Sequence, residues 1–151
     1  MKKFKFKLEA LLKLREFKED KCKIEMGKIQ KHIAACESQI EREKNEINEA
    51  YIAQRKMLER GMAGRETQFI PTLVRGKEAK IVLLKKEIER KKIELQEKQA
   101  ELIMLRADVK VMTKLKEKEQ KAFKHAMMKK DDMAREELVN IWHHHKKSKE
   151  L

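Results

Sequence analysis

The chain has 151 residues, 43% of them charged, and a formal net charge of +13. Aromatic residues make up only 5%, and there are four glycines and one proline, so an ordinary compact globular core is hard to build from this composition. Disorder is equally opposed, because hydrophobic residues reach 40% and recur at regular spacing. The composition therefore favours long, solvated helices.

The N-terminal stretch "MKKFKFKLEALLKLREFKEDK" sets apolar residues closely before the pair Arg15 and Glu16. Its apolar residues are Phe4, Phe6, Leu8, Leu11, Leu12 and Leu14. We expect a first helix over about residues 4–60, because this stretch runs directly into a heptad pattern.

The heptad pattern of the first helix starts at Cys22 and advances by alternating steps of four and three. Its eleven positions, all apolar except Glu43 and Gln54, are Cys22, Met26, Ile29, Ile33, Cys36, Ile40, Glu43, Ile47, Ala50, Gln54 and Met57. The two cysteines are about 21 Å apart on one helix, so they cannot bridge each other and are interpreted as small core residues.

The segment 61–76, "GMAGRETQFIPTLVRG", contains the only proline and three of the four glycines. These helix breakers predict a chain reversal here, which would lay two helices antiparallel. The alternative is one continuous helix that dimerises in parallel, and the same breakers argue against it.

The second helix is predicted over about residues 77–142, with a tail at 143–151. Ten of its fourteen heptad positions are apolar and four are charged; the fourteen are Ile81, Leu84, Ile88, Lys91, Leu95, Lys98, Leu102, Leu105, Val109, Met112, Lys116, Glu119, Phe123 and Ala126. Pairing about a tip near residue 69 would place Glu43 opposite the region from Lys91 to Lys98. The predicted fold is all-α, a single long two-helix antiparallel coiled-coil hairpin spanning residues 1–151.

Enzyme chemistry has little support in the sequence, which has no Gly-rich phosphate loop and no cysteine pair at metal-ligand spacing. His143, His144 and His145 invite a metal site, but adjacent helical positions point in different directions, so a solvated run is favoured. We predict no catalytic residue, no cofactor and no metal. Without a signal peptide or a long apolar run, we expect a soluble protein of a reducing compartment and no membrane insertion.

The net charge raises nucleic-acid binding as an alternative, since lysine neutralises phosphate without sequence specificity. However, the lysines alternate with glutamates along both predicted helices, and no aromatic platform accompanies them. A solvated helix surface is therefore preferred over a basic nucleic-acid-binding rod. A generic coiled-coil scaffold remains the other alternative.

The opening "F-x-F-x-L-x-x-L-L-x-L-R-E", formed by residues 4–16, resembles the flagellar export protein FliJ family. Length, basic character and the central break agree with this family over nearly the whole chain. The resemblance implies a non-enzymatic stalk and escort protein of the bacterial flagellar type III export apparatus. Its location would be cytoplasmic, peripheral at the membrane-associated base of the apparatus.

The resemblance also implies partners, namely the hexameric export ATPase and the cytoplasmic region of the export gate, with export chaperones as a further candidate. An "F-I-x-T-L" element implies gate contact by Phe69, Ile70, Thr72 and Leu73, with Ile47 and Tyr51 from the first helix. Antiparallel pairing would bring the two chain ends together as the ATPase contact. The residues assigned to that contact are Phe4, Phe6, Leu8, Leu11, Leu138, Ile141 and Trp142.

Overall fold

The structure is a computed structural model that describes residues 2–150. It is 89% helical, with two long helices packed against each other, and no strand occurs among the described residues. Helix α1 spans Glu9–Glu59 and helix α2 spans Phe69–Lys149. The predicted fold class, an all-α helical hairpin, is confirmed.

Helix α1 begins at Glu9 rather than near residue 4 and ends in a Schellman motif. The N–H of Met62 donates to the carbonyl of Met57 at 3.1 Å, and the N–H of Gly61 donates to that of Leu58 at 3.1 Å. Gly61 has φ of 84°, a left-handed conformation that glycine adopts without a Cβ penalty. This glycine therefore stops α1 close to the predicted position.

Helix α2 begins at Phe69, well before the predicted start at 77. The Thr67 hydroxyl donates to the Gly64 carbonyl at 3.0 Å, and the N–H of Ile70 donates to the Thr67 carbonyl at 3.1 Å. Pro71 lies in the first turn, where its missing N–H has no intrahelical partner to lose. Gly76 lies inside α2, where glycine lowers helix stability by about 1 kcal/mol relative to alanine. The helix nevertheless continues on both sides of it.

The C-terminal part of α2 also differs from the expectation of a tail after residue 142. The helix continues to Lys149 and includes the three consecutive histidines. Its last turn carries Lys146, Lys147 and Lys149, and cationic side chains at a helix C-terminus interact favourably with the helix dipole.

The chain divides into two compact units, one from Asp20 to Met104 and the other formed by residues up to Glu19 with those from Leu105 onward. The core of the first unit is built from Cys36, Ile40, Ile81 and Ile88, with Ile33, Ile47 and Leu84 packed against it. In the second unit, Phe6, Leu12 and Met112 form the core, with Phe4 and Val109 packed against it.

The helices are antiparallel within each unit. In the first unit Glu43 pairs with Lys77, whereas His32, earlier in α1, pairs with Glu87, later in α2. In the second unit Glu19 pairs with Arg106 and Glu9 with Lys116. Seam residues of both predicted stripes are buried, including Cys22 and Ile29 of α1 and Leu102 and Met112 of α2.

Candidate partner-binding surfaces

The residues assigned to the export gate separate into exposed and buried pairs at the start of α2. Phe69 and Leu73, spaced i,i+4, are 56% and 46% exposed and share one helix face. Ile70 and Val74, also spaced i,i+4, are 2% and 3% exposed and face the core. Ile70 therefore supports the fold, because its buried side chain offers no surface to a partner.

The remaining gate residues lie on both helices. Thr72 is exposed on α2 and Tyr51 is exposed on α1, whereas Ile47 is half-buried against the core of the Asp20–Met104 unit. The pairing of Glu43 with Lys77 puts Tyr51 and Phe69 at the same level along the two antiparallel helices. We call the exposed set Tyr51, Phe69 and Leu73 the turn-proximal surface.

Sequence reasoning missed three exposed apolar residues near the same turn, Ile52, Leu58 and Met62. The available signal was their position outside the heptad seam, since an apolar residue off the seam has no partner within the helix pair. Together with the turn-proximal surface they place six exposed apolar side chains at this end of the Asp20–Met104 unit.

Glu43 is a carboxylate held inside the helix pair near this surface. Glu43 is 3% exposed, and its Oε2 accepts a hydrogen bond from Lys77 Nζ at 3.2 Å. Its Oε1 accepts one from Gln39 Nε2 at 2.9 Å and lies 3.0 Å from Lys80 Nζ. Lys77 also pairs with Glu46. Hydrogen bonds from Lys80, then Gln39 and Lys77, outweigh desolvation and lower the pKa of Glu43 to about 2.

The predicted position of Glu43 opposite Lys91 to Lys98 is wrong. Lys91 pairs with Glu94 on its own helix, and Lys98 pairs with Glu25 and Glu101. The physical reason is that the chain reverses between Gly61 and Thr67 instead of near residue 69. This earlier reversal shifts the register and sets Glu43 against the first turns of α2.

We predict that stability falls as the pH is lowered from about 5 toward 2, and that Glu43→Gln reduces this dependence. The pKa of Glu43 is about 2 in the folded protein against its ordinary value of 4.5, so acid favours the unfolded state, which binds the proton at higher pH. Some dependence will remain, because Arg90 and His32 also lower the pKa of Glu87 to about 2.

Thermal melts of native protein and Glu43→Gln across this interval test the prediction. Glu43→Gln should melt at lower temperature at neutral pH, where the ionised carboxylate stabilises the native fold, and the two melting temperatures should converge in acid. If the melting temperatures of the two proteins differ by the same amount at every pH, ionisation of Glu43 does not contribute to the pH dependence of stability.

Two of the four N-terminal residues assigned to the ATPase contact pack against the middle of α2. Phe6 is buried with Leu12 and Met112, and the ring of Phe4 lies 5.6 Å from that of Phe123, centroid to centroid, with a tilt of 52°. Leu8 and Leu11 are exposed. Two of these four residues are thus engaged within the chain, and two remain accessible to a partner.

The C-terminal residues assigned to the same contact lie elsewhere on α2. Leu138, Ile141 and Trp142 are exposed, as is every described residue of 128–150, a segment that we call the overhang. Leu138 is 15 residues beyond Phe123, or about 22 Å along a helix. The expected joining of the two apolar groups is therefore wrong, because α1 has 51 residues and α2 has 81, so α2 continues past its N-terminal partners.

Other kinds of site find no support in the described part of the chain. Residues 2–150 contain no group of three or more His, Cys, Asp or Glu residues that could hold a metal ion. Neither helix, within the same residues, is long and apolar enough to cross a membrane.

Comparison with known proteins agrees with the resemblance seen at the N-terminus. The family model described as flagellar FliJ protein matches residues 4–148, which is nearly the whole chain. Neither the curated proteins nor the solved structures gave a match. Because the family match includes both helices and the turn, the resemblance is confirmed, and the chain belongs to the flagellar FliJ protein family, whose members are components of flagellar export.

Proposed function

We propose that this chain is a non-enzymatic central-stalk and escort component of the flagellar type III export apparatus. In this proposal the overhang and the exposed N-terminal residues Leu8 and Leu11 enter the hexameric export ATPase. The turn-proximal surface contacts the cytoplasmic region of the export gate, and export chaperones are further partners. Membership of the FliJ family supports the setting, since it implies a component of flagellar export.

The observation that carries the ATPase contact is the overhang. Leu138, Ile141 and Trp142 are large apolar side chains that α1 does not cover. Lysines accompany them at positions 146, 147 and 149. An exposed aromatic and aliphatic group surrounded by charge is the usual composition of the energetically important centre of a protein interface.

A two-helix stalk has no sixfold symmetry, so identical subunits around it make unequal contacts. If one nucleotide state of a subunit binds the stalk more tightly than another, the stalk biases the ring toward that state by the difference in binding free energy. Because such coupling acts in both directions, the nucleotide state of the ring would also change how tightly the stalk is held. A change in how the stalk is held could in turn move the turn-proximal surface. The protein would thereby couple ATPase and gate without catalysing a reaction.

The test is stimulation of the purified export ATPase by this chain. Leu138→Ala with Trp142→Ala should raise the concentration needed for half-maximal stimulation by about tenfold or more, because a few central apolar residues commonly dominate an interface. Helicity by circular dichroism should stay unchanged, since both side chains are exposed.

The matched control is Met128→Ala with Met133→Ala, two equally exposed apolar residues of the same overhang outside the assigned contact. This control should stimulate the ATPase as the native chain does. Native stimulation by the Leu138 and Trp142 variant would remove the overhang from the ATPase contact.

A further inference from the structure

We propose that the overhang, residues 128–150, pairs with the overhang of a second copy as an antiparallel, twofold-symmetric coiled coil. Every described residue of this segment is exposed, although the segment is helical to Lys149. Isolated helices of this length are marginal in water, and helices with apolar stripes are normally stabilised by packing. The overhang therefore presents a helix face that lacks cover from α1.

A stripe of three apolar residues and one histidine on the overhang has a self-complementary spacing. Ala134, Leu138, Ile141 and His145 follow one another at steps of four, three and four. At 3.6 residues per turn they fall within about 60° of one another on one helix face. The midpoint of the set lies between positions 139 and 140, so a reversed second copy would set Leu138 against Ile141 and Ala134 against His145. An interface between identical chains related by a twofold axis requires this self-complementarity.

The charges of the overhang point to the same orientation. The N-terminal half of the overhang, residues 128–139, holds four acids, two lysines and one arginine, a net charge of −1, whereas residues 140–150 hold three lysines and one acid, a net charge of +2 with neutral histidines. Antiparallel pairing about that midpoint sets Asp132 of each copy opposite Lys147 of the other and Lys129 opposite Glu150, whereas Lys130 meets Lys149. Parallel pairing would set like charges together, which disfavours it.

The edge of the stripe carries the only tryptophan of the chain. Trp142 is exposed, and Lys146 Nζ lies 5.1 Å from the centroid of its ring. In the antiparallel pair the second copy's Arg135 would reach the same edge, where a guanidinium over an indole ring is favourable. Trp142 would lose water on pairing, so its fluorescence reports directly on this interface.

A second copy fits the overhang better than an anionic surface does. Nucleic acid or acidic lipid would attract residues 143–149 but would be repelled by the acids of residues 131–137. The paired seam is short, so we expect a weak, concentration-dependent dimer. This dimer does not depend on the proposed export function, although it would cover Leu138 and Ile141.

Sedimentation equilibrium of the full chain over micromolar to millimolar concentrations tests the dimer, with no other protein present. The mass should rise from one chain to two, the Trp142 emission should shift to the blue over the same range, and high salt should weaken both changes. Leu138→Asp with Ile141→Asp should weaken association by about tenfold or more, because a charge would be buried in the seam. Its helicity should persist, as both residues are exposed.

The matched control is Val139→Asp, an exposed apolar residue next to Leu138 that lies off the stripe. This variant should dimerise like the native chain, apart from the small effect of one added surface charge. A monomer at every concentration, with unchanged Trp142 emission, would overturn the proposal. Equal loss of dimer in Val139→Asp and in the Leu138 and Ile141 variant would overturn it as well.

Orientation is tested by cross-linking in a background with Cys22→Ala and Cys36→Ala. A mixture of Ala134→Cys and His145→Cys chains should form mainly mixed disulfide dimers, because antiparallel pairing sets these two positions against each other. Preferential cross-linking of each variant with itself would indicate parallel pairing and would contradict the proposal.

Discussion

A variant with Phe69→Ala and Leu73→Ala is expected to bind the cytoplasmic region of the export gate more weakly than the native chain by over about tenfold. Its melting temperature should be nearly unchanged. Both side chains are about half exposed in the folded chain, so their removal leaves no large cavity. Binding by isothermal titration and unfolding by calorimetry on the same preparation separate the two effects.

Val82→Ala with Leu83→Ala is the matched control for that variant. Both residues are exposed on α2 in the same unit, but they lie farther from the turn. The control should bind the gate as the native chain does. If the Phe69 and Leu73 variant remains folded and still binds with native affinity, these residues do not belong to the gate contact.

Ile70→Ala should produce the opposite result, a loss of about 2–5 kcal/mol in the free energy of unfolding. Ile70 is 2% exposed and lies in the first turn of α2, so truncation leaves a cavity where the helix begins. Urea unfolding followed by circular dichroism measures this loss. Under conditions where the variant is still folded, its gate affinity should match that of the native chain.

Ile70→Val gives an internal scale for this experiment. Removal of one buried methyl group should cost about 0.5–1.5 kcal/mol, less than the alanine change at the same position. If Ile70→Ala binds the gate more weakly than the native chain under conditions where it is fully folded, Ile70 contributes to the gate contact. Unchanged stability of Ile70→Ala would contradict its place in the core.

The stripe from Cys22 to Glu43 and the stripe from Ile81 to Met112 were predictable from spacing alone. A residue that recurs every three or four positions must face one side of a helix, and a face that is mostly apolar requires cover. Cys22, Cys36, Ile81 and Ile88 are accordingly buried. The family was also predictable, because the motif at residues 4–16 and the pattern after it agree with the family match over residues 4–148.

The partner of Glu43 was not predictable from the same pattern. A heptad stripe states which face of a helix is buried but not which turn of the other helix lies opposite it. That register depends on where the chain reverses, and Gly61 and Gly76 are equal candidates in a sequence. Gly61 has the left-handed φ and the Schellman hydrogen bonds, so the reversal follows it directly and brings Glu43 to Lys77 and Lys80.

By itself, the sequence determined that the chain forms two helices around a break, which faces they bury and to which family they belong, because these properties depend on local spacing and residue type. Tertiary structure alone decided that Ile70 is buried while Phe69 is exposed, and that Phe4 meets Phe123 while Leu138 and Trp142 remain uncovered. Adjacent residues of one apolar cluster have nearly equal hydrophobicity. The packing of α1 against α2 is what assigns one of them to the core and leaves the other on the surface.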